Sequence, residues 1–460
     1  MDELWRTGAS ELAAMIRKRE VTSREVVDAH LQRIDATNDA INAVTVTLVE
    51  SALAAADRAD RELASGAEPP PLHGVPFTVK ENIDLAGSST TQGLVAMEHV
   101  DPGVDAPHIA RLKAAGAIPI ARTNLPDLGL RWHTDNALRG PTRNPWDATR
   151  TAGGSSGGEA AALAVGLTPL GIGNDLGGSV RVPAQCCGIA SIRPTLGRVP
   201  DASALMPEEA SVSFQLMAVQ GPMARRVDDV RLALEHMSGV DPRDPWSTPA
   251  PLHGPPLPRR VAVWRGGDDE QVDAGVDAAA TALADAGYKI EVVEPPAISL
   301  AMDLWRDLVL CESRYMMQVV RPMMGADAVQ FIEDAFSLKP DLDKDGYVTA
   351  LAARNGVARA WTSFQADRPL VLGPVSTRRP FPVGRDLEGP AAVAELIESM
   401  RLVVLVNLLG LPAAAVPVGV ADGLPQGVQI IGPRYREDAC LDAAQAIEDR
   451  LGTFTPIDPR

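Results

Sequence analysis

Cysteine is scarce: the 460-residue chain has four, Cys186, Cys187, Cys311 and Cys440. Their spacing fits neither a disulfide framework nor a metal site, so no metal is expected and a reducing, cytoplasmic setting is. Cys186 and Cys187 read as small buried hydrophobes, not as nucleophiles. Basic charge is also short. Against 60 Asp and Glu stand 43 Lys and Arg, a formal net charge of −17. Nothing forms a basic patch for a phosphate backbone, so nucleic acid is excluded as the expected partner. The apolar stretch LVVLVNLLGLPAAAVPVGV at 402–420 is interrupted by Asn407, Gly410 and Pro412. It reads as buried, strand-like core, and no membrane partner is expected. The opening MDELWRTGAS is polar and acidic, unlike a secretory leader.

What is present alternates between helical and strand patterns. Thr22 and Glu25 stand at capping-box spacing before Val26, Val27, His30, Leu31 and Ile34, within a helical region over 8–65. VPFTVK at 75–80 reads as a strand with Val75, Phe77 and Val79 on one face and Pro76, Thr78 and Lys80 on the other. Residues 107–124 read as helix, glycine stop and strand, which points to an α/β fold with a mixed or parallel sheet. A Pro-rich connection runs from about 240 to 260, RRVAVW begins another strand, and 271–287 and most of 300–365 read as helical. The last helix falls in DACLDAAQAIEDRLG. A single domain over 1–460 is expected, with a more variable helical and loop-rich region at about 240–400.

The stretch GGSSGGEAAA at 153–162 carries the chemical question. A phosphate loop needs a lysine after its second glycine, and here Glu159 follows Gly158. GIGNDLGG at 171–178 places Leu176 where a dinucleotide fingerprint needs glycine. GSSGG satisfies the G-x-S-x-G elbow of α/β-hydrolases with Ser156 at its centre, but only His236 and His253 follow it, and His253 lies in the Pro-rich connection. A third reading joins both glycine-rich segments. GNDLGGSVR at 173–181 places Ser179 after two glycines, where backbone amides can converge on an oxyanion. Lysine is an alternative base for serine, and Lys80 at the end of an apolar strand suits that role if burial keeps it neutral. A serine at 155–156 would then relay the proton.

The segment 153–188, together with HGVPFTVKENIDLAG (73–87), ARTNLPDLG (121–129), GPTRNPWD (140–147), GPMARRVDD (221–229) and 407–432, resembles the amidase signature family. The resemblance implies a large mixed sheet flanked by helices and a Ser-Ser-Lys triad of Lys80, Ser155 and Ser179. It makes Ser155, in a cis peptide, the relay, Ser179 the nucleophile and Ser156 structural. It places the oxyanion hole at the amides of Leu176, Gly177, Gly178 and Ser179, with no cofactor. It assigns Asp175 and Arg181 to bracing the loop; a plain local ion pair is nearly the same statement. Gly129, Trp132 and His133 are candidates for the acyl-binding wall, with ordinary packing as the alternative.

The implied function is an amidohydrolase acting on a small-molecule acyl amide or related C–N bond, acyl hydrazides included, with homodimers common in such families. One alternative is the glutaminase subunit of a tRNA-dependent amidotransferase, whose members carry Thr at the position of Leu176 and Gln at that of Val182. The other is an inactive binding protein on the same fold. DLDKDGYVTALA at 341–352 resembles a calcium loop but ends in Ala352 where a bidentate Glu is needed, so a solvated acidic turn is expected. Trp305, Met316 and Met317 read as helix packing, and Met323 and Met324 as candidates for the edge of a substrate tunnel.

Overall fold

The computed structural model describes residues 3–205 and 210–460. Among these, eleven strands form one mixed sheet: β1 (Val44–Thr47), β2 (Pro76–Lys80), β3 (Ile118–Thr123), β4 (Leu170–Asp175), β5 (Ala190–Arg193), β6 (Val219–Ala224), β7 (Arg260–Val263), β8 (Lys289–Val292), β9 (Leu370–Pro374), β10 (Ala413–Ala421) and β11 (Leu424–Ile431). Their order across the sheet is β1-β3-β2-β4-β6-β5-β10-β11-β9-β7-β8. β2 is parallel to β3 and β4, and β7 to β8 and β9. Every other pairing is antiparallel.

Alternation along the strands divides the core into two apolar layers. On β10, Ala413 and Ala415 join one layer while Ala414 and Val416 join the other. β7 does the same with Ala262 against Val261 and Val263. One layer is covered by the helices Ala9–Arg17, Pro107–Ala114, Val227–Met237, Glu270–Asp285 and Glu437–Leu451. The other takes Gly157–Ala164, Arg181–Cys187, Ile298–Val320 and Arg401–Leu409. With both faces covered, central strands lose their polar side; all five residues of β2 are buried.

Several local expectations hold. Thr22 and Glu25 form a reciprocal capping box on the helix Ser23–Ile41. The chain between Met237 and Arg260 contains neither helix nor strand. Residues 402–409 depart from expectation, forming most of the helix Arg401–Leu409 in place of strand-like core, with every one of those eight positions buried. A helix enclosed on all sides has no polar stripe, so its pattern is indistinguishable from that of a buried strand. Gly410, at φ +65°, ends it before β10 begins. Asp343, in the calcium-loop look-alike, caps the helix Lys344–Asp367 by accepting from the Gly346 amide at 2.7 Å. Among the described residues no helix is long and apolar enough to cross a membrane.

Candidate active site

Parallel pairing brings the chemistry together. Thr78 of β2 lies opposite Gly171 of β4, and Val79 opposite Ile172, so the C-terminal ends of the two strands are adjacent. Phe77 and Val79 enter one apolar layer, leaving Thr78 and Lys80 for the opposite face. Lys80 closes β2 beside the end of β4, from which Asn174, Asp175 and the loop to Ser179 emerge. Ser155 stands just before the helix Gly157–Ala164, and the Gly154–Ser155 peptide is cis.

Lys80 Nζ lies 2.7 Å from Ser155 Oγ and 2.7 Å from Asn174 Oδ1. Asn174 in turn donates from Nδ2 to Asn82 Oδ1 at 3.0 Å, which turns its carbonyl oxygen toward the lysine. Lys80 is wholly buried, and that burial pulls its pKa from 10.5 to about 7, although Asp175 and Glu159 pull it back upward. Glu159 receives hydroxyl hydrogens from Thr78 and Thr123, and burial pushes its carboxyl up to about 7.

The nucleophile loop is held just as closely. Ser156 donates its amide to the Ser179 carbonyl at 3.2 Å, tying the two serine segments together. Arg181 grips Asp175 through Nε and Nη2, both at 3.0 Å, and Asn407 adds a bond of 2.8 Å. Burial alone would raise the Asp175 carboxyl, but Arg181, with Arg193 and Asn407, outweighs it and holds the group well below the usual carboxylate range. Gly178 sits at φ +95°, and a Cβ there would lie 2.3 Å from Val403 Cγ1, so only glycine fits.

One of the four expected oxyanion donors is corrected by this geometry. The Gly178 amide donates to Asp175 Oδ1 at 2.8 Å, so a carboxylate already takes its hydrogen. The amides of Leu176, Gly177 and Ser179 have no acceptor among the described residues.

Ser179, Gly177, Leu176 and Gly129 border one cavity. Gly129 stands beside Ser155, since a Cβ on it would come 3.2 Å from Ser155 Oγ. Three aromatic rings also line the cavity. Trp132 and Trp305 stack with ring centres 6.2 Å apart, and Phe331 meets Trp132 edge-on at 6.4 Å. His133 is not part of this lining, contrary to expectation. Its ring is turned onto Thr151 Oγ1 at 3.0 Å, and burial lowers its pKa to about 4, leaving it neutral. Met323 and Met324 are also outside the lining, and Met323 is 37% exposed. Cys186 and Cys187 are buried, and burial pushes the Cys186 thiol up to about 12, an inert state.

Three residues of the site, Asn82, Asn174 and Phe331, carry no assignment from the sequence, and Trp305, read there as helix packing, also lines the cavity. Asn174 and Asn82 occur within motifs already singled out, but only the parallel pairing of β2 and β4 shows that Asn174 meets Lys80 and that Asn82 holds Asn174. Trp305 and Phe331 lie more than 170 residues beyond Trp132. An apolar helix face packing on a core and one lining a cavity carry the same pattern.

The model of the Amidase family matches residues 25–441. The chain is 43% identical to an indoleacetamide hydrolase of Bradyrhizobium diazoefficiens, over 98% of this chain and 88% of that one. It is 33% identical to one subunit of the glutamyl-tRNA(Gln) amidotransferase of Geobacillus kaustophilus, over 95% of this chain and 96% of that protein. Among solved structures it superposes on a bacterial aryl acylamidase of the amidase signature enzymes with a TM-score of 0.85 and 26% identity, covering 97% of this chain and 96% of that one. With the mixed sheet and the buried contact between Lys80 at the end of β2 and Ser155, the chain belongs to the amidase signature family and is a hydrolase of amide C–N bonds.

Proposed function

We propose that this amidase hydrolyses the primary amide of a short acid bearing an aromatic ring, through an acyl-enzyme on Ser179. The carrying observation is a buried lysine nitrogen 2.7 Å from the Ser155 hydroxyl, beside a cavity that Ser179 shares with Trp132, Trp305 and Phe331. Neutral Lys80 takes the Ser155 proton as Ser155 takes that of Ser179. Ser179 Oγ attacks the acyl carbon, and the open amides of Leu176, Gly177 and Ser179 receive the oxyanion. Ser155 then delivers its proton to the leaving nitrogen, and water releases the acid by the reverse relay. The indoleacetamide hydrolase and aryl acylamidase relatives support an aromatic substrate. The amidotransferase relatives support glutamine instead, but an apolar Leu176 and three aromatic rings suit a ring better than a polar carboxamide chain.

The test is a panel on the purified chain: indole-3-acetamide, phenylacetamide, a linear aliphatic amide, glutamine, and the hydrazide and ester of phenylacetic acid. Aryl acetamides should exceed the aliphatic amide in kcat/KM by at least about a hundredfold, the worth of roughly 3 kcal/mol of ring burial. Preference for glutamine would overturn the reading.

Asn174 offers a separate check on the base. As a neutral acceptor it orients the lysine without charging it, whereas a carboxylate there would stabilise the ammonium. In Asn174→Asp the acid limb of the kcat/KM–pH profile should therefore move up by about one to three units. Titration of substrate turnover from pH 5 to 10 measures this; an unmoved limb in a folded variant would count against Lys80 as the titrating group.

A further inference from the structure

Two consecutive carbonyls of the nucleophile loop are held by the two stacked indoles. Trp305 Nε1 donates to the Leu176 carbonyl at 3.2 Å, and Trp132 Nε1 donates to the Gly177 carbonyl at 2.8 Å. In a trans peptide the N–H points opposite to the C=O, so fixing one end aims the other. The Gly177–Gly178 peptide is pinned at both ends, its carbonyl by Trp132 and its amide by Asp175. The Leu176–Gly177 peptide is pinned by Trp305 alone, and its Gly177 amide is left without an acceptor among the described residues. The loop also rests directly on the second ring: a Cβ on Gly177 would come 2.9 Å from Trp305 Cζ2.

We propose that Trp305, braced by its stack on Trp132, is a positioning residue whose indole N–H aims the Gly177 amide at the oxyanion, while the same ring forms the wall for the substrate's aryl group. The inference rests on the reading of this loop as the oxyanion hole and goes beyond it by giving the aromatic wall a part in the chemical step. It follows from where Trp305 sits. The helix Ile298–Val320 is far in sequence from the nucleophile, yet it supplies the N–H that sets a peptide plane three residues from Ser179. A buried indole N–H takes an acceptor in any role; what is particular here is that the acceptor is the carbonyl of the peptide that carries the open Gly177 amide. A phenylalanine at either position would keep much of the apolar surface and lose the donor.

Trp305→Phe tests this with two readouts. A tetrahedral adduct of Ser179 with an arylboronic acid places an oxygen where the oxyanion forms, whereas KM for the aryl acetamide reports largely on the wall. Losing one neutral hydrogen bond predicts a drop of about tenfold in both kcat and boronate affinity, with KM within about twofold. Trp305→Leu should add a rise in KM confined to aryl substrates. If Trp305→Phe fails to fold, 3-benzothienylalanine at position 305 keeps the indole shape and replaces N–H by sulfur, and the same split is expected. A folded variant with wild-type kcat and boronate affinity, or with the whole loss in KM, overturns the positioning role. Failure of the underlying reading is a different result: the wild-type enzyme would then form no boronate adduct on Ser179 at all.

Discussion

Ser179→Ala should abolish hydrolysis of every amide the wild-type enzyme cleaves, a loss of about a millionfold in kcat if Ser179 behaves as the nucleophile of a concerted set. The physical ground is that the other candidate nucleophiles do not border the cavity. Ser155, which contacts Lys80, serves as the relay, His133 faces Thr151, and burial holds Cys186 and Cys187 as thiols. Removing the Ser179 hydroxyl should leave the fold intact, because the bond that ties this residue to the other serine segment is made by its backbone carbonyl. The melting temperature should stay within about 2 °C of wild type, in line with a change well under 1 kcal/mol. A fluorophosphonate probe should label the peptide containing Ser179 in the wild type and nothing in the variant. Ser155→Ala combined with Ser179→Ala should cost little beyond Ser179→Ala alone, because a relay without a nucleophile has nothing to relay. Retained turnover in a folded Ser179→Ala would end the assignment, and an unlabelled wild type would favour an inactive scaffold.

How much of this was legible in the sequence depends on whether a feature is local. The alternation in VPFTVK separates Lys80 from Val79, and the structure places Val79 in an apolar layer and Lys80 beside Ser155. The two glycine-rich segments mark where backbone must approach backbone closely. Even the capture of the Gly178 amide has a local signal. Asp175 stands three residues before that N–H, a spacing at which aspartate bonds to nearby backbone. β1 escapes a reading of the sequence because a four-residue strand between two long helices offers too little period. The aromatic wall is not local at all. Trp132 comes from the loop after β3, Trp305 and Phe331 from two helices of the variable middle region, and only their packing against Leu176 and Gly177 turns three separate aromatics into one surface. His133 shows the converse. Beside Trp132 in sequence, it turns the other way because a buried imidazole needs a partner, and Thr151 supplies it.

Lys80→Met should remove the base while leaving the lysine's space filled, and two consequences of opposite sign follow. At neutral pH kcat/KM should fall at least about a thousandfold, within the range contributed by a positioned general base. A loss smaller than about tenfold, or 1.4 kcal/mol of barrier, would remove Lys80 from that role. In the wild type the active form is the neutral amine. With its pKa pulled down to about 7, kcat/KM should be flat above that pH and fall about tenfold per unit below it. Stability carries the other sign. Between about 7 and the ordinary 10.5 the unfolded chain binds a proton at this lysine that the native state does not, so native stability rises with pH across that window. The slope approaches about 1.4 kcal/mol per unit and vanishes below pH 7, where both states are charged. Lys80→Met has no such slope. The difference between wild type and variant should therefore shift toward the wild type by up to about 3 kcal/mol from pH 7 to pH 9, and denaturant melts at those two values measure it. At pH 7 the variant should be no less stable than wild type, since a buried amine costs more than a thioether of similar length. Ser155 and Asn174 each lose a partner in it, which limits the gain. An inactive variant whose stability tracks the wild type at both pH values would mean that the lysine is charged in the native state. The proton could then not leave Ser155 for Lys80, and the relay would need another acceptor.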